Sequence, residues 1–119
     1  MHFVSFISLE EDDKDLIVSF AIRDGEFGIQ SLILMRTLFY EEYLDESECG
    51  VQLSFENVTD GSDPIMLQEA IFKNKSLEIK SKNYSFTLDL SKIEDSEITE
   101  TIALMKTQNH DNRFKITVA

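Results

Sequence analysis

Val51-Gln52-Leu53-Ser54-Phe55-Glu56 (VQLSFE, residues 51–56) alternates apolar and polar side chains without a break. Successive side chains of a strand point to opposite faces, so residues 51–57 read as a strand with one buried and one wet face. The neighbouring segments follow the same period. Residues 2–9 (HFVSFISL) and 15–22 (DLIVSFAI) are rich in aromatic and β-branched residues and flank the acidic turn Glu10–Lys14, which predicts a hairpin. Arg23-Asp24-Gly25-Glu26-Phe27-Gly28 reads as a loop, with two glycines available for positive φ. Residues 31–39 (SLILMRTLF) are continuously apolar, so strand and buried helix both remain open there.

On the other side, Thr59 to Pro64 (TDGSDP) carries turn chemistry and is the one weak seam in the chain. Ile65 to Ala70 is open between strand and helical turn. A meander is expected over Ala70–Lys73, Leu77–Ser81 and Tyr84–Leu90, with Asn74-Lys75 and Lys82-Asn83 as tight turns. Phe86, Leu88 and Leu90 share one face of its last strand.

One helix is expected from about Ser96 to Thr107, where Ile98, Ile102 and Met105 recur at helical spacing and Ala103 and Leu104 widen the stripe. Asp95 or Ser96 can cap it, or Ser91-Lys92-Ile93-Glu94 can start it earlier as a capping box. Phe114, Ile116 and Val118 alternate as a final strand. The fold class is therefore α+β: a mostly antiparallel β-sheet of about seven or eight strands, including a meander, with one amphipathic helix near the C-terminal end packed on one face. Residues 1–119 are expected to form a single α+β domain, since neither a linker nor a repeat divides them.

Charge is distributed unevenly along this framework. Residues 1–69 hold 16 acidic and 3 basic side chains, a net of −13, whereas residues 70–119 hold 7 and 8, a net of +1. Such a balance disfavours nucleic-acid binding, which needs a basic surface to neutralise phosphates. The exception is the local cluster Lys73, Lys75, Lys80 and Lys82, read as lysines protecting hairpin edges. The start of the chain lacks the basic flank and apolar run of a signal peptide, and no run is long enough for a membrane helix, so a cytoplasmic protein is expected.

Catalytic chemistry finds little support. Cys49 is alone and lies between Glu48 and Gly50, where a carboxylate raises a thiol pKa rather than lowering it. His2 and His110 would meet only if the terminal strands paired. Glu41 with Glu42, or Asp60 with Asp63, could form a carboxylate pair, but a solvated acidic loop accounts for each more simply. Glu10-Glu11-Asp12-Asp13 and Asp60–Asp63 lack the frame of a calcium loop. The expectation is no enzyme, no cofactor and no metal site.

The remaining candidate is a binding surface. Residues 40–48 (YEEYLDESE) hold five carboxylates, two tyrosines and no basic residue. Glu41, Glu42, Asp45, Glu46 and Glu48 would steer a basic protein partner, and Tyr40 and Tyr43 would anchor it. Two other classes stay open: an assembly module forming homo-oligomers, and a small carboxylate-dependent hydrolase.

The order of features resembles a known family. Ser31-Leu32-Ile33-Leu34-Met35-Arg36, the acidic aromatic stretch Phe39 to Glu48, the Gly-led strand Gly50 to Glu56, a meander and one late helix are similar to the immunity proteins of bacterial polymorphic toxin systems, specifically immunity protein ten. The likeness covers roughly residues 15–107. It departs at Pro64-Ile65-Met66-Leu67, where the family pattern has a Tyr-Gly-Gly turn. The resemblance implies a small cytoplasmic protein that binds and neutralises a cognate toxin, with no catalysis of its own.

Overall fold

The computed structural model describes residues 2–25, 28–55, 58 and 64–119. Among these residues nine strands form one sheet: β1 (His2–Glu11), β2 (Asp15–Asp24), β3 (Gly28–Thr37), β4 (Gln52–Phe55), β5 (Ile65–Met66), β6 (Glu69–Lys73), β7 (Ser76–Lys80), β8 (Ser85–Asp89) and β9 (Lys115–Val118). Their order is β5-β4-β3-β2-β1-β8-β7-β6-β9. The α+β class and the mostly antiparallel sheet hold, but the strand count is nine rather than seven or eight. The additional strand is β5, only two residues long and too short to show a period of two. It replaces the helical-turn alternative for Ile65 to Ala70. Two pairs are parallel, β1 with β8 and β6 with β9.

The β1–β2 hairpin turns through Asp12, whose Oδ1 accepts the backbone N–H groups of Lys14 and Asp15, both at 2.8 Å. Those bonds hold the Asp12 carboxyl below its usual range. The β6–β7 turn is Asn74-Lys75 as expected, with φ of 48° and 62°. That double positive φ matches the right-handed twist of the flanking strands. The expected turn Thr59–Asp63 and the end of the 51–57 strand at Glu56 and Asn57 lie outside the described residues, as do Glu26 and Phe27.

The run 31–39 is strand as far as Thr37, and Leu38 and Phe39 open a 3-10 turn. Leu32, Leu34 and Arg36 of β3 face the interior, while Ile33 and Met35 face outward. In β1 a bulge at Ser5 shifts the register, since Val4 opposes Ile22 and Phe6 opposes Ala21. The sheet is strongly rolled. Phe55 on β4 and Phe86 on β8 meet at 5.3 Å between ring centroids, although β3, β2 and β1 lie between their strands. His2 joins them edge-on, 5.6 Å from Phe55.

Helix α1 (Asp95–Gln108) lies against β1 and β2 and covers the interior. Its buried residues are Thr101, Leu104, Met105 and Gln108, with Ile98 and Ile102 flanking them and Ala103 exposed. The expected stripe of Ile98, Ile102, Leu104 and Met105 packs on the core, and the polar Thr101 and Gln108 are buried within it where an apolar period does not mark them. Thr101 satisfies its hydroxyl by donating to Glu97 O at 2.8 Å. The N-cap is Glu94, with no side-chain capping bond from it. Neither Asp95 nor Ser96 takes that position. The lysine cluster does not guard an edge, because β7 lies inside the sheet. Lys75 donates to Ile93 O at 2.9 Å and pairs with Asp95 at 3.0 Å, and Lys80 lies 3.4 Å from Glu78.

Candidate protein-binding site

The site is built on Arg36. Period two turns this residue inward at the end of β3, so a guanidinium only 1% exposed stands among apolar neighbours. A buried charge at that depth is tolerated only when every donor is used. Arg36 Nε and Nη2 donate to the two carboxylate oxygens of Glu41 at 2.9 and 3.0 Å. Nη1 and Nη2 donate to the two oxygens of Asp111 at 2.7 and 2.9 Å. Nη1 also donates to the backbone carbonyl of Gln108 at 2.8 Å. The pair with Asp111 raises the affinity of Arg36 for its proton, and Glu41 reinforces it. The same hydrogen bonds hold the Asp111 carboxyl far below the ordinary carboxylate range, with a further contribution from Arg113.

Two 3-10 turns, Leu38–Tyr43 and Glu46–Glu48, follow β3. They are locked from beneath. Glu41 Oε2 also accepts the N–H of Gly50 at 3.0 Å. Arg113 donates to Glu46 O at 3.0 Å and to Asp111 Oδ2 at 2.9 Å. Gly50 itself is buried with φ of 124°, a conformation that L side chains rarely adopt. The 38–50 segment is thus fastened to the connection between α1 and β9 by two arginines.

The seven residues singled out from the sequence are placed differently from one another. Tyr40 and Tyr43 are 54% and 76% exposed, and Phe39 packs edge-on against Tyr40 at 5.0 Å. Glu42, Asp45 and Glu46 are exposed on the same segment. Glu46 has a loose 3.6 Å ion pair with Arg113. Glu48 is half-buried and lines an open cleft of about 470 Å³ with Pro64, Met66 and Lys82. Glu41 is turned inward onto Arg36 and is spent on structure rather than on display. Sequence reasoning misses Arg36, Gln108 and Asp111; the available signal is an arginine at an inward position of an apolar strand.

Other titratable groups are dispersed. His2 sits in the aromatic cluster, and the terminal strands do not pair, since β1 lies between β2 and β8 while β9 borders β6. The Cys49 thiol is 3.6 Å from Glu41 O. Among the described residues no three His, Cys, Asp or Glu side chains converge on a point. No helix among them is long and apolar enough to cross a membrane. Compared with known protein families, curated proteins and solved structures, the chain matches none.

Proposed function

We propose that this chain is a non-enzymatic acidic binding protein that captures and neutralises a basic protein, acting as a cytoplasmic immunity protein against a toxin domain. The observation that carries this reading is the display of Tyr40 and Tyr43 among Glu42, Asp45 and Glu46 on a segment anchored by Arg36 and Arg113. Rigid, exposed aromatic side chains lose little conformational entropy on binding, and they make effective anchors when a partner excludes water around them. The surrounding carboxylates accelerate encounter with a basic surface and make association salt-sensitive. A basic nuclease or a basic pore-forming domain fits equally well, because the surface supplies charge and anchors rather than chemistry.

The test is capture of partners from source-cell lysate on the tagged chain at low and high salt, followed by expression of the captured protein. A basic protein that arrests growth alone, and is tolerated when this chain is co-expressed, supports the reading. Recovery of only the chain itself, unchanged by salt, rejects it in favour of a self-assembling module.

A further inference from the structure

The outer face of β1, β2 and β3 carries a group of large apolar side chains among the serines Ser8, Ser19 and Ser31. Register places Met35 directly opposite Ile17, Ile33 opposite Ser19, and Phe6 opposite Ala21. Direct and diagonal neighbours on one face of a sheet lie within reach of each other, so Ile17, Ile33 and Met35 form one apolar group, and Phe6 borders it across Ala21. Ile29, at the far end of β3, extends it and is 55% exposed; Phe6 is 54% exposed. The outer face of β7 and β8 is different in kind, carrying Glu78, Lys80, Ser85, Thr87 and Asp89. β3 carries large apolar residues on both faces, a pattern characteristic of strands covered on both sides, yet α1 covers only the inner face of the sheet. The apolar outer face is therefore concentrated on the three-stranded part of the sheet that leads into the 38–43 turn.

The edge of the patch is acidic. Glu10 opposes Ile17 on the same face, Asp15 opposes Thr37, and Asp12 and Asp13 form the adjoining turn; Lys14 is the cation in that turn, and Arg23 stands at the far end of the face, opposite Ile29. Lys14 lies over the ring of Phe39, 5.5 Å from its centroid, and its carbonyl accepts the Phe39 N–H. That contact joins the patch to the aromatic segment of the proposed binding site. A second copy of the chain would bring one acidic rim against another in a protein of net charge −12, which opposes self-association through this face. Anionic lipid surfaces and nucleic acids are opposed by the same charge.

We infer that the outer face of β1–β3 is the main docking surface for the basic protein, which meets Phe6, Ile17, Ile33 and Met35 with an apolar centre and the rim of Glu10, Asp12, Asp13 and Asp15 with cationic side chains. This rests on the binding reading above and moves the centre of the interface from the carboxylates of residues 41–48 to the sheet. The tyrosine segment becomes its border.

The test is site-specific photo-crosslinking in source-cell lysate, with p-benzoylphenylalanine placed in turn at positions 33, 43 and 87 of the full chain and adducts identified by mass spectrometry. The expected result is an adduct from position 33 to a protein of net positive charge, and none from position 87 on the outer face of β8. Phe6→Ser should weaken the affinity for that same protein about 30-fold, as loss of a central anchor does, with an unchanged circular dichroism spectrum. Asp13→Lys, in an exposed turn, should slow association without altering the fold. A basic protein crosslinked from position 43 but not from 33, with Phe6→Ser binding normally, overturns the sheet surface and leaves the binding reading standing. Adducts only to a second copy, or no adduct to a basic protein from any position, overturn both.

Discussion

Arg36 and Asp111 face each other through two parallel hydrogen bonds of 2.7 and 2.9 Å, although 75 positions separate them in the chain. Glu41 makes the matching two-pronged contact on the other edge of the same guanidinium. One buried cation therefore fixes the end of β3, the turn that follows it and the chain leaving α1. The arrangement adds to the packing of Leu38 against the core in fastening a displayed segment whose 3-10 turns hold no fully buried residue.

Removing Asp111 should expose that dependence. Asp111→Ala leaves Arg36 buried with Glu41 as its remaining carboxylate partner, and breaking a buried ion pair from one side is costly. Asp111 is one-third exposed, which reduces the cost by solvent screening, so a loss of about 2 kcal/mol is expected. Urea denaturation of Asp111→Ala, Arg36→Met and the double variant gives the coupling between them. The double variant should be clearly more stable than the sum of the single losses implies. Simple additivity would mean that the pair does not hold the segment.

The same pair sets an acid dependence. The folded-state pKa of Asp111 lies below its unfolded value, chiefly because Arg36 donates to the charged form. Its contribution is complete above the unfolded carboxylate range, near 4, and is lost as pH falls through that range toward the folded value. Wild-type stability should therefore drop as pH is lowered below about 5, and Asp111→Asn should show a shallower drop. Asp12 and Asp89 also have depressed pKa values from hydrogen bonds in their turns, so some acid sensitivity should persist in that variant. Thermal melts across pH 2.5 to 7 check the slope; equal slopes would remove Asp111 as its main source.

Two glycines with positive φ should respond unequally to substitution. At Gly25, φ is 69° and an added methyl group would meet open space. Gly25→Ala should therefore cost only the left-handed backbone penalty, about 1 kcal/mol. At Gly50, φ is 124° and the methyl would lie 3.3 Å from Met66 Cε and 3.5 Å from Arg113 Cβ. The strained backbone and the contacts together should cost about 2–3 kcal/mol. Chemical denaturation of both variants checks the order. Equal losses would show that the Gly50 turn can relax without disturbing the locked segment.

The elements with regular alternation are legible in the sequence itself. The β1–β2 hairpin, β4, the β6–β8 meander, α1 and β9 follow from side-chain period and turn residues. Strand order is not legible, because several orders satisfy the same alternation, and the parallel placement of β1 beside β8 leaves no local signature. The acidic segment of residues 38–48 is legible only as composition. Tyr40, Tyr43, Glu42 and Asp45 stand where charge and aromatic content point, but no sequence period distinguishes Glu41 from Glu42. The outer apolar face is visible in part, as the continuous apolar run over residues 31–39. Its two-faced character emerges only from the register with β2.

Glu41 and Glu42 are neighbours with opposite duties, and the contrast provides the last prediction. Glu41 accepts three hydrogen bonds, two from Arg36 and one from Gly50, whereas the Glu42 side chain is exposed. Glu41→Gln removes the charge facing a buried guanidinium and should cost about 1.5–3 kcal/mol of stability, the range for hydrogen bonds to charged groups. Glu42→Gln should stay within about 0.5 kcal/mol of wild type. Partner association should divide the other way. Glu42→Lys, combined with Asp45→Lys, should slow the on-rate severalfold at low salt and little at high salt, because screening removes the steering that the charges provide. Paired measurements of melting temperature and association rate separate the two roles. If Glu41→Gln melts like wild type, the Arg36 clamp does not organise this segment; if the lysine double variant associates at the wild-type rate, these carboxylates do not steer the partner.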